Sequence, residues 1–360
     1  MSSMITFFLP SLRGGGAERA FLNIANNLAK KGYDVDLVLA QKEGPYLSDV
    51  NNNVNVINLN SSRVIFCMIP LIQYMKKSKP DIFFSALPHV NIVSIFSRII
   101  SGCRCSLIIT EQNYFSLSVR YIDKILANLF YAKSDFVIAV SDEIKKDLIK
   151  TINLKPSQIK VIYNSVDIED ISSKAKMPVD HKYFNTNKYK VIIGMGRLTN
   201  QKDFSTLIRS FKKVKDKKKY VKLIILGEGE ERDKLEGLIK KLGLKNDVHL
   251  VGFVDNPYSY IKKSDVFVMS SLYEGLPVSL LEALACGVPV ISTNCPSGPS
   301  EILKDGKYGM LVPVNNSNAL SGAIINILEK EPFKTKALKT RAEDFSAEKI
   351  AADYLSLTKK

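Results

Sequence analysis

The sequence predicts an α/β protein of two doubly wound parallel-sheet domains, one over residues 1–170 and one over 171–344. Three observations predict it. Apolar runs of strand length alternate with helix-length segments along the chain, an order that gives parallel sheets covered by helices. Several runs end in glycine turns that open a helix, which places a ligand crevice at the carboxyl ends of the strands. A length of 360 residues with 46% hydrophobic content suits two domains of ordinary size.

In the first half, Ile5 to Leu12 reads as a strand and Arg13, Gly14, Gly15 and Gly16 as a loop. A helix is expected from Ala17 to about Lys31, and Tyr33 to Ala40 is the next strand. Glu18 falls in the first helical turn, where the helix dipole favours an acid. Glycines at a helix entrance let a ligand approach the backbone because no Cβ intervenes. Taken alone, the triple glycine is equally a tolerant turn. Asp34 and Asp36 form a D-x-D, but period-two alternation puts Val35, Leu37 and Leu39 on one strand face and both acids on the other, so no metal role is expected. Asp81 to Leu87 (DIFFSAL) is a further strand, and His89 lies in the loop PHVN that follows, a candidate to face the ligand. The next strand ends at Thr110, Glu111, Gln112 and Asn113. A polar stretch from Asp170 to the neighbourhood of Asn185–Tyr189 reads as the connection between domains. The final helix, about 345–360, is a candidate to pack back onto the first domain.

In the second half, Lys190 to Gly196 (KVIIGMG) is a buried strand and glycine turn, followed by Arg197, Leu198, Thr199 and Lys202. Two cations at a helix start oppose its dipole, a conflict that an anionic ligand would remove. A guanidinium fork and an ammonium both suit phosphate oxygens, and both side chains are expected to face solvent. Val221 to Gly229 and Val248 to Phe253 are further strands, and Asp255, Asn256 and Pro257 turn into a short helix. Asp265 to Ser270 (DVFVMS) and Pro289 to Thr293 (PVIST) are strands that flank a helix. Pro277 fits its first position and Gly287 stops it. Glu274 then lies on the loop before the helix, and Glu282 about a turn and a half inside it. Two carboxylates beside a helix N-terminus make sense for a ligand that carries both phosphate and hydroxyl groups.

The run from Ser271 to Val290, S-x-x-E-G-x-P-x-x-x-x-E-A-x-A-x-G-x-P-V with its serine next to the usual place, resembles the donor-site signature of retaining glycosyltransferases of family 4. Gly196 to Lys202 is similar to that family's G-R-L-x-x-x-K, and the loop at Gly15 to its G-G-A-E motif. The resemblance covers essentially the whole chain. It implies the GT-B architecture: two Rossmann-like domains facing a central cleft, the first binding the acceptor and the second a nucleotide diphosphate sugar. It further implies that Arg197 and Lys202 grip the diphosphate, that Gly252 and Phe253 frame the base, and that Glu282 binds the ribose hydroxyls. Glu274 would take the transferred sugar, with Gly275, Leu276, Pro277 and Val278 completing the donor loop and Gly15 and Gly16 approaching from the first domain. Many members read T-E-H where this chain reads Thr110, Glu111, Gln112, so glutamine stands at the histidine's place. The implied front-face attack lets the donor phosphate take the acceptor proton, and Glu111 and His89 remain candidates to touch substrate.

The net charge is +15. Residues 1–170 carry 19 basic and 15 acidic groups, a difference of +4, and residues 171–360 carry the remaining +11. Seven lysines between Phe211 and Lys222 read first as a solvated helix end and second as a contact for anionic lipid. Apolar, cation-edged helices near Asn91–Arg104 and Tyr121–Lys133 suit a bilayer surface, although core packing takes many of their side chains. Of three histidines, His249 is expected to be structural in a strand and His181 to lie in the polar connection. No spacing suggests a metal site, so no cofactor is expected and the donor's charge falls to Arg197, Lys202 and the helix N-terminus. The longest apolar run, Val64 to Ile69, is far short of the roughly 20 residues a membrane span needs. No leader-like N-terminus is visible, and the five cysteines fit reduced thiols, which together suggest a cytoplasmic protein, peripheral at the inner face of the membrane. The expected activity is transfer of a hexose or N-acetylhexosamine, UDP-linked in the donor, to a glycan or polyprenyl- or lipid-linked acceptor in bacterial surface polysaccharide synthesis. A nucleotide-sugar 2-epimerase on the same fold is the first alternative, and it would need several cleft histidines and carboxylates. A basic nucleic-acid-binding protein is the second, but no binding motif for DNA or RNA is visible, and nucleic acid is not an expected partner.

Overall fold

A computed structural model describes residues 3–186, 188–330 and 332–357. The chain divides into two compact units, Met1–Ser165 with Ser346–Lys360, and Val166–Phe345.

The first unit runs β1 (Met4–Leu9), α1 (Gly16–Lys30), β2 (Asp34–Leu39), β3 (Val54–Asn58), α2 (Met68–Ser78), β4 (Ile82–Ala86), α3 (Pro88–Ser101), β5 (Ser106–Glu111), α4 (Phe115–Ser118), α5 (Tyr121–Phe130), β6 (Phe136–Ala139), α6 (Asp142–Thr151) and β7 (Ile159–Val161). Its seven strands are all parallel, in the order β3-β2-β1-β4-β5-β6-β7. Phe7, Phe21 and Phe84 form the centre of its core, with the rings of Phe7 and Phe84 stacked at 5.0 Å. The inner strands are buried on both faces, which is why they read as apolar runs, while the edge strands β3 and β7 are partly exposed. Asp36 fits this burial by hydrogen bonding: Tyr74 Oη donates to one carboxylate oxygen at 2.6 Å and Asn55 Nδ2 to the other at 2.8 Å.

The second unit runs α7 (Ile168–Lys174), β8 (Lys190–Met195), α8 (Phe204–Lys217), β9 (Val221–Leu226), α9 (Arg232–Lys241), β10 (Val248–Gly252), α10 (Pro257–Lys263), β11 (Val266–Met269), α11 (Val278–Cys286), β12 (Val290–Thr293), α12 (Pro299–Leu303), β13 (Met310–Val312), α13 (Ser317–Lys330) and α14 (Thr335–Glu343). Six parallel strands lie in the order β10-β9-β8-β11-β12-β13. In both sheets the order reverses beside the first strand, at β1/β4 and at β8/β11, which opens a crevice at the strands' carboxyl ends. A last helix, α15 (Ala347–Ser356), belongs to the first unit, where the Tyr354 ring meets Phe84 at 5.1 Å. Residues 358–360 of the expected final helix lie outside the described residues.

Three sequence expectations change. Residues 170–189 are not the connection: they belong to the second unit, and Val179, His181 and Tyr183 are buried there. His181 is therefore not in a polar segment. Its Nε2 lies 2.7 Å from His249 Nδ1, and Tyr183, Phe184 and Tyr260 surround the pair. The lysines of 211–222 are largely engaged within the unit: Lys215 and Lys222 with Asp247, Lys218 with Glu329, Lys212 with Asp216, and Lys213 with Ser317. Among the described residues, no helix is long and apolar enough to cross a membrane.

Candidate active site

Strands β8, β9 and β10 end side by side in glycine turns. Gly196 N donates to Leu226 O at 3.0 Å and Gly227 N to Gly252 O at 2.8 Å. A Cβ on Gly227 would lie 2.0 Å from Gly196 O, and its φ is +131°, so only glycine fits there. Beyond Gly196 the chain splits the two expected cations. Arg197 is exposed, and among the described residues no hydrogen bond or ion pair holds its guanidinium. Lys202 ends the short 3-10 turn Asn200–Lys202, and the next residue, Asp203, sits in the left-handed region (φ 44°) and caps α8 by accepting from Thr206 N at 3.2 Å.

Lys202 does not face solvent as expected. Its stem lies over Gly196, and its Nζ meets Glu274 Oε1 at 2.6 Å, with side-chain exposures of 18% and 6%. Ser271 Oγ donates to the same carboxylate oxygen at 2.6 Å. A buried carboxylate costs stability unless it is bonded, and these two donors offset that cost. The loop that carries Glu274 is held from both sides. Gln201 Nε2 donates to Tyr273 O at 2.9 Å, Ser297 Oγ to Gly275 O at 2.7 Å, and Thr293 Oγ1 to Ser271 O at 2.6 Å. Gly275, Leu276, Pro277 and Val278 are all buried, so in this unit they offer backbone rather than side chains. Pro277 stands one residue earlier than expected, as the extended N-cap of α11 (φ −69°, ψ 109°), and Val278 is the first helical residue. Gly287 ends the helix at φ 71°, as its sequence position indicates.

Glu282, on the inner side of α11, is 6% exposed and accepts a hydrogen bond from Tyr258 Oη at 3.1 Å. Gly252 (φ 94°) ends β10, and a Cβ there would press on Glu228 Oε1 at 2.8 Å. Arg232 grips both oxygens of Glu228, at 2.6 and 2.8 Å, and this holds the Glu228 carboxyl below its usual range. Phe253 follows and is 45% exposed. The second unit thus gathers a cation, two hydrogen-bonded carboxylates, an exposed aromatic ring and the amides of a helix N-terminus around its strand ends. Such a set can bind phosphate through charge and amides, and hydroxyl groups through carboxylates.

The first unit places its four candidates separately. Gly15 is the N-cap of α1, and Gly16, expected in the loop, opens the helix. The Glu18 carboxylate folds back so closely that a Cβ on Gly15 would lie 2.0 Å from its Oε2. His89 lies in the first turn of α3 rather than in a loop, because Pro88 is accommodated at the helix start. Its imidazole is exposed, yet the surrounding chain excludes enough water to hold its pKa below the usual histidine value; Asp123 opposes this and Arg120 adds to it.

Glu111 is 1% exposed at the end of β5, where Tyr131 Oη donates to Oε1 and Asn91 Nδ2 to the same oxygen at 3.0 Å. Burial drives its pKa up to about 8, the two hydrogen bonds acting against it. The Glu111 carboxyl is thus enclosed in the unit's interior, with Tyr131 and Asn91 on one oxygen. Next to it, both amide atoms of Gln112 are enclosed without a hydrogen-bond partner among the described residues.

Sequence reasoning missed the residues that hold the carboxylates: Tyr258, Tyr131 and Asn91. Each reads as an ordinary helix or turn residue, and only the fold brings it within reach. Ser271 carried a signal, its place in the motif. Among the described residues, no group of three or more His, Cys, Asp or Glu could hold a metal ion.

The family model for glycosyl transferases group 1 matches residues 178–345, and that for glycosyltransferase family 4 matches residues 14–170. A Campylobacter jejuni N-acetylgalactosamine-N,N'-diacetylbacillosaminyl-diphospho-undecaprenol 4-alpha-N-acetylgalactosaminyltransferase is 32% identical, over 97% of each chain. The lipopolysaccharide core biosynthesis glycosyltransferase LpsE of Rhizobium meliloti is 28% identical, over 96% of each. Among solved structures, Anabaena Alr3699/HepE in complex with UDP-glucose superposes with a TM-score of 0.81 at 21% identity, covering 98% of this chain and 99% of that one. The fold they share is GT-B.

Proposed function

The chain belongs to the glycosyl transferases group 1, and from that premise we propose that it is a retaining glycosyltransferase that moves a hexose or N-acetylhexosamine from a UDP-sugar to a lipid-linked glycan in bacterial surface polysaccharide synthesis. The observation that carries the reading is the meeting of Lys202, Ser271 and Glu274 at one carboxylate oxygen, on a loop that leads into the helix of Glu282. Diphosphate oxygens take Lys202, Arg197 and the free amides of α11. Glu282 accepts from the ribose hydroxyls, Glu274 from hydroxyls of the transferred sugar, and the Phe253 ring and Gly252 backbone border the base. The bond from the anomeric carbon to the diphosphate oxygen breaks, and the acceptor oxygen bonds on the same face. The acceptor's proton passes to the departing diphosphate oxygen, so no protein base is required. These cations and amides supply the counter-charge, and the reaction proceeds without a divalent metal.

The donor and acceptor classes rest on the relatives: one is named for an undecaprenol-linked substrate and one solved neighbour holds UDP-glucose. The acceptor places the enzyme against an anionic membrane surface at the cytoplasmic face. The test is a panel of UDP- and GDP-sugars scored for hydrolysis and thermal stabilisation, then transfer in EDTA with the product's anomeric configuration read by NMR. Stabilisation by a UDP-sugar, full activity in EDTA and retained configuration are expected. Inversion or EDTA sensitivity would overturn the mechanism.

A further inference from the structure

Two anomalies stand side by side at the carboxyl ends of neighbouring strands in the first unit. Leu87, directly after β4, has φ 82° and ψ 138°, a backbone conformation that is strained for leucine. One strand over, Gln112 follows β5, and both atoms of its amide are enclosed with no hydrogen-bond partner among the described residues. Strands β4 and β5 pair in parallel with Ala86 opposite Thr110, so the two residues leave their strands at nearly one level. Backbone strain of this kind persists where the surrounding structure holds it, and such places cluster at ligand sites. A buried amide without partners has lost its water and has no bond in exchange.

The base beneath them is fixed. Asn91 of α3 ties both strand ends together. Its Oδ1 accepts from Ser85 Oγ of β4 at 2.8 Å, and its Nδ2 donates to Thr110 O at 3.1 Å and to Glu111 Oε1 at 3.0 Å, both of β5. Tyr131 Oη donates to the same Glu111 oxygen. Ser85, Asn91, Glu111 and Tyr131 are at most 1% exposed and bonded to one another, and Gln112 is the amide this cluster leaves over. The residue as a whole is only half-buried, and no hydrogen bond has to break for its amide to turn outward.

We propose that Gln112 is a specificity residue of the acceptor site, its amide taking two neighbouring ring hydroxyls of an acceptor pyranose. The inference deepens the glycosyltransferase reading and rests on it. Oε1 only accepts and Nε2 only donates, so the ligand must offer a donor and an acceptor about as close together as the two amide atoms. Neighbouring equatorial–equatorial or axial–equatorial hydroxyls do so, because each is donor and acceptor at once. Two trans-diaxial hydroxyls point apart and do not. A trans N-acetyl group turns its N–H and C=O in opposite directions and satisfies only one of the two amide atoms. The histidine of T-E-H would point its two nitrogens apart and titrate near neutrality, so glutamine gives this chain a different, uncharged contact.

The test is saturation-transfer NMR of the full chain, with UDP present, against methyl α-D-galactopyranoside, methyl α-D-glucopyranoside and a galactoside whose ring hydroxyls are methylated. The free glycosides should bind and the methylated one should not. Gln112→Met, of nearly the same length, should lose about tenfold or more in glycoside affinity, as a site built for hydroxyls implies. It should keep its UDP affinity by calorimetry and melt higher than wild type, because an unpaired buried amide is gone. A variant that melts lower and still binds the glycosides would make Gln112 an internal packing residue and overturn the proposal. So would a wild type that binds none of the glycosides. A loss confined to UDP-galactose relative to UDP, with glycoside binding intact, would put the amide on the transferred sugar and overturn the acceptor assignment. Absence of UDP binding in the wild type would remove the glycosyltransferase reading, whereas retained UDP binding with no effect on glycosides removes this inference alone.

Discussion

The ends of the two parallel sheets are finished differently. In the second unit the loops after β8, β11 and β12 are bound to one another through Gln201, Thr293 and Ser297, and both candidate glutamates are buried in place with partners. In the first unit the corresponding candidates do not converge: His89 is exposed, Glu111 is enclosed, and the surroundings carry unpaired apolar surface. A rigid, charged pocket suits a ligand of fixed geometry, whereas an open apolar flank suits a large acceptor. The difference teaches that the second unit's candidate site is held in place without a ligand, as the proposed nucleotide-sugar half requires, whereas the first unit's candidates stand apart.

The largest expected effects fall on the built half. Arg197→Ala and Lys202→Ala should each cost about ten- to a few-hundred-fold in donor use, since a charge-assisted bond contributes about 1.5–3 kcal/mol. The two should differ in stability. Arg197 is unpaired, so its loss leaves the thermal midpoint unchanged, whereas loss of Lys202 leaves Glu274 with Ser271 alone and lowers it by an amount that corresponds to about 1–3 kcal/mol. Equal midpoints in the two variants would break the contrast between a waiting cation and a pre-paired one.

Next in size are opposite responses to pH. Glu111 has a folded-state pKa of about 8 against an ordinary 4.5, so its contribution is full at low pH and fades as pH rises from about 4.5 to about 8. His181 is lowered from 6.5 to about 4 by burial, then by His249 and Lys182. Its contribution is full above about 6.5 and fades as pH falls towards about 4. Each slope is at most about 1.4 kcal/mol per pH unit. Thermal melts across pH should lose their alkaline decline in Glu111→Gln and their acid decline in His181→Gln. Unaltered limbs would show that these groups do not govern the two units.

The same contrast explains what was legible. The second half declares itself in sequence because its site depends on backbone turns: glycines at Gly196, Gly252 and Gly287, a proline at Pro277, and acids at fixed helical spacing. Parallel order in both sheets followed from the strand and helix alternation. Of the partners that lock the site, Ser271 was legible through its place in the motif, whereas Tyr258 was not, because it reaches Glu282 only through folding. Enclosure of Glu111 was equally hidden, since nothing in T-E-Q reveals Asn91 and Tyr131 arriving from α3 and the end of α5. Internal pairing of the 211–222 lysines depended on Asp247 and Glu329, distant in sequence.

The smallest expected effect tests the built half most finely. Tyr258→Phe removes the phenol's hydrogen bond to the Glu282 carboxylate and, acting only through that side chain, should weaken UDP binding several-fold, about 0.5–1.5 kcal/mol, with turnover at saturating donor unchanged. A drop in turnover with unchanged UDP affinity would contradict Tyr258 as a positioning residue for the nucleoside end.

The central claim is that Glu282 and Glu274 divide the donor between nucleotide and sugar. Calorimetric titration of UDP into the wild type, Glu282→Ala and Glu274→Ala tests it most directly. The account predicts that Glu282→Ala loses UDP affinity by about tenfold or more, as loss of a hydrogen bond to a charged group implies. Glu274→Ala should keep nearly full UDP affinity while transfer of the sugar collapses. Equal losses of UDP affinity in the two variants would contradict the division.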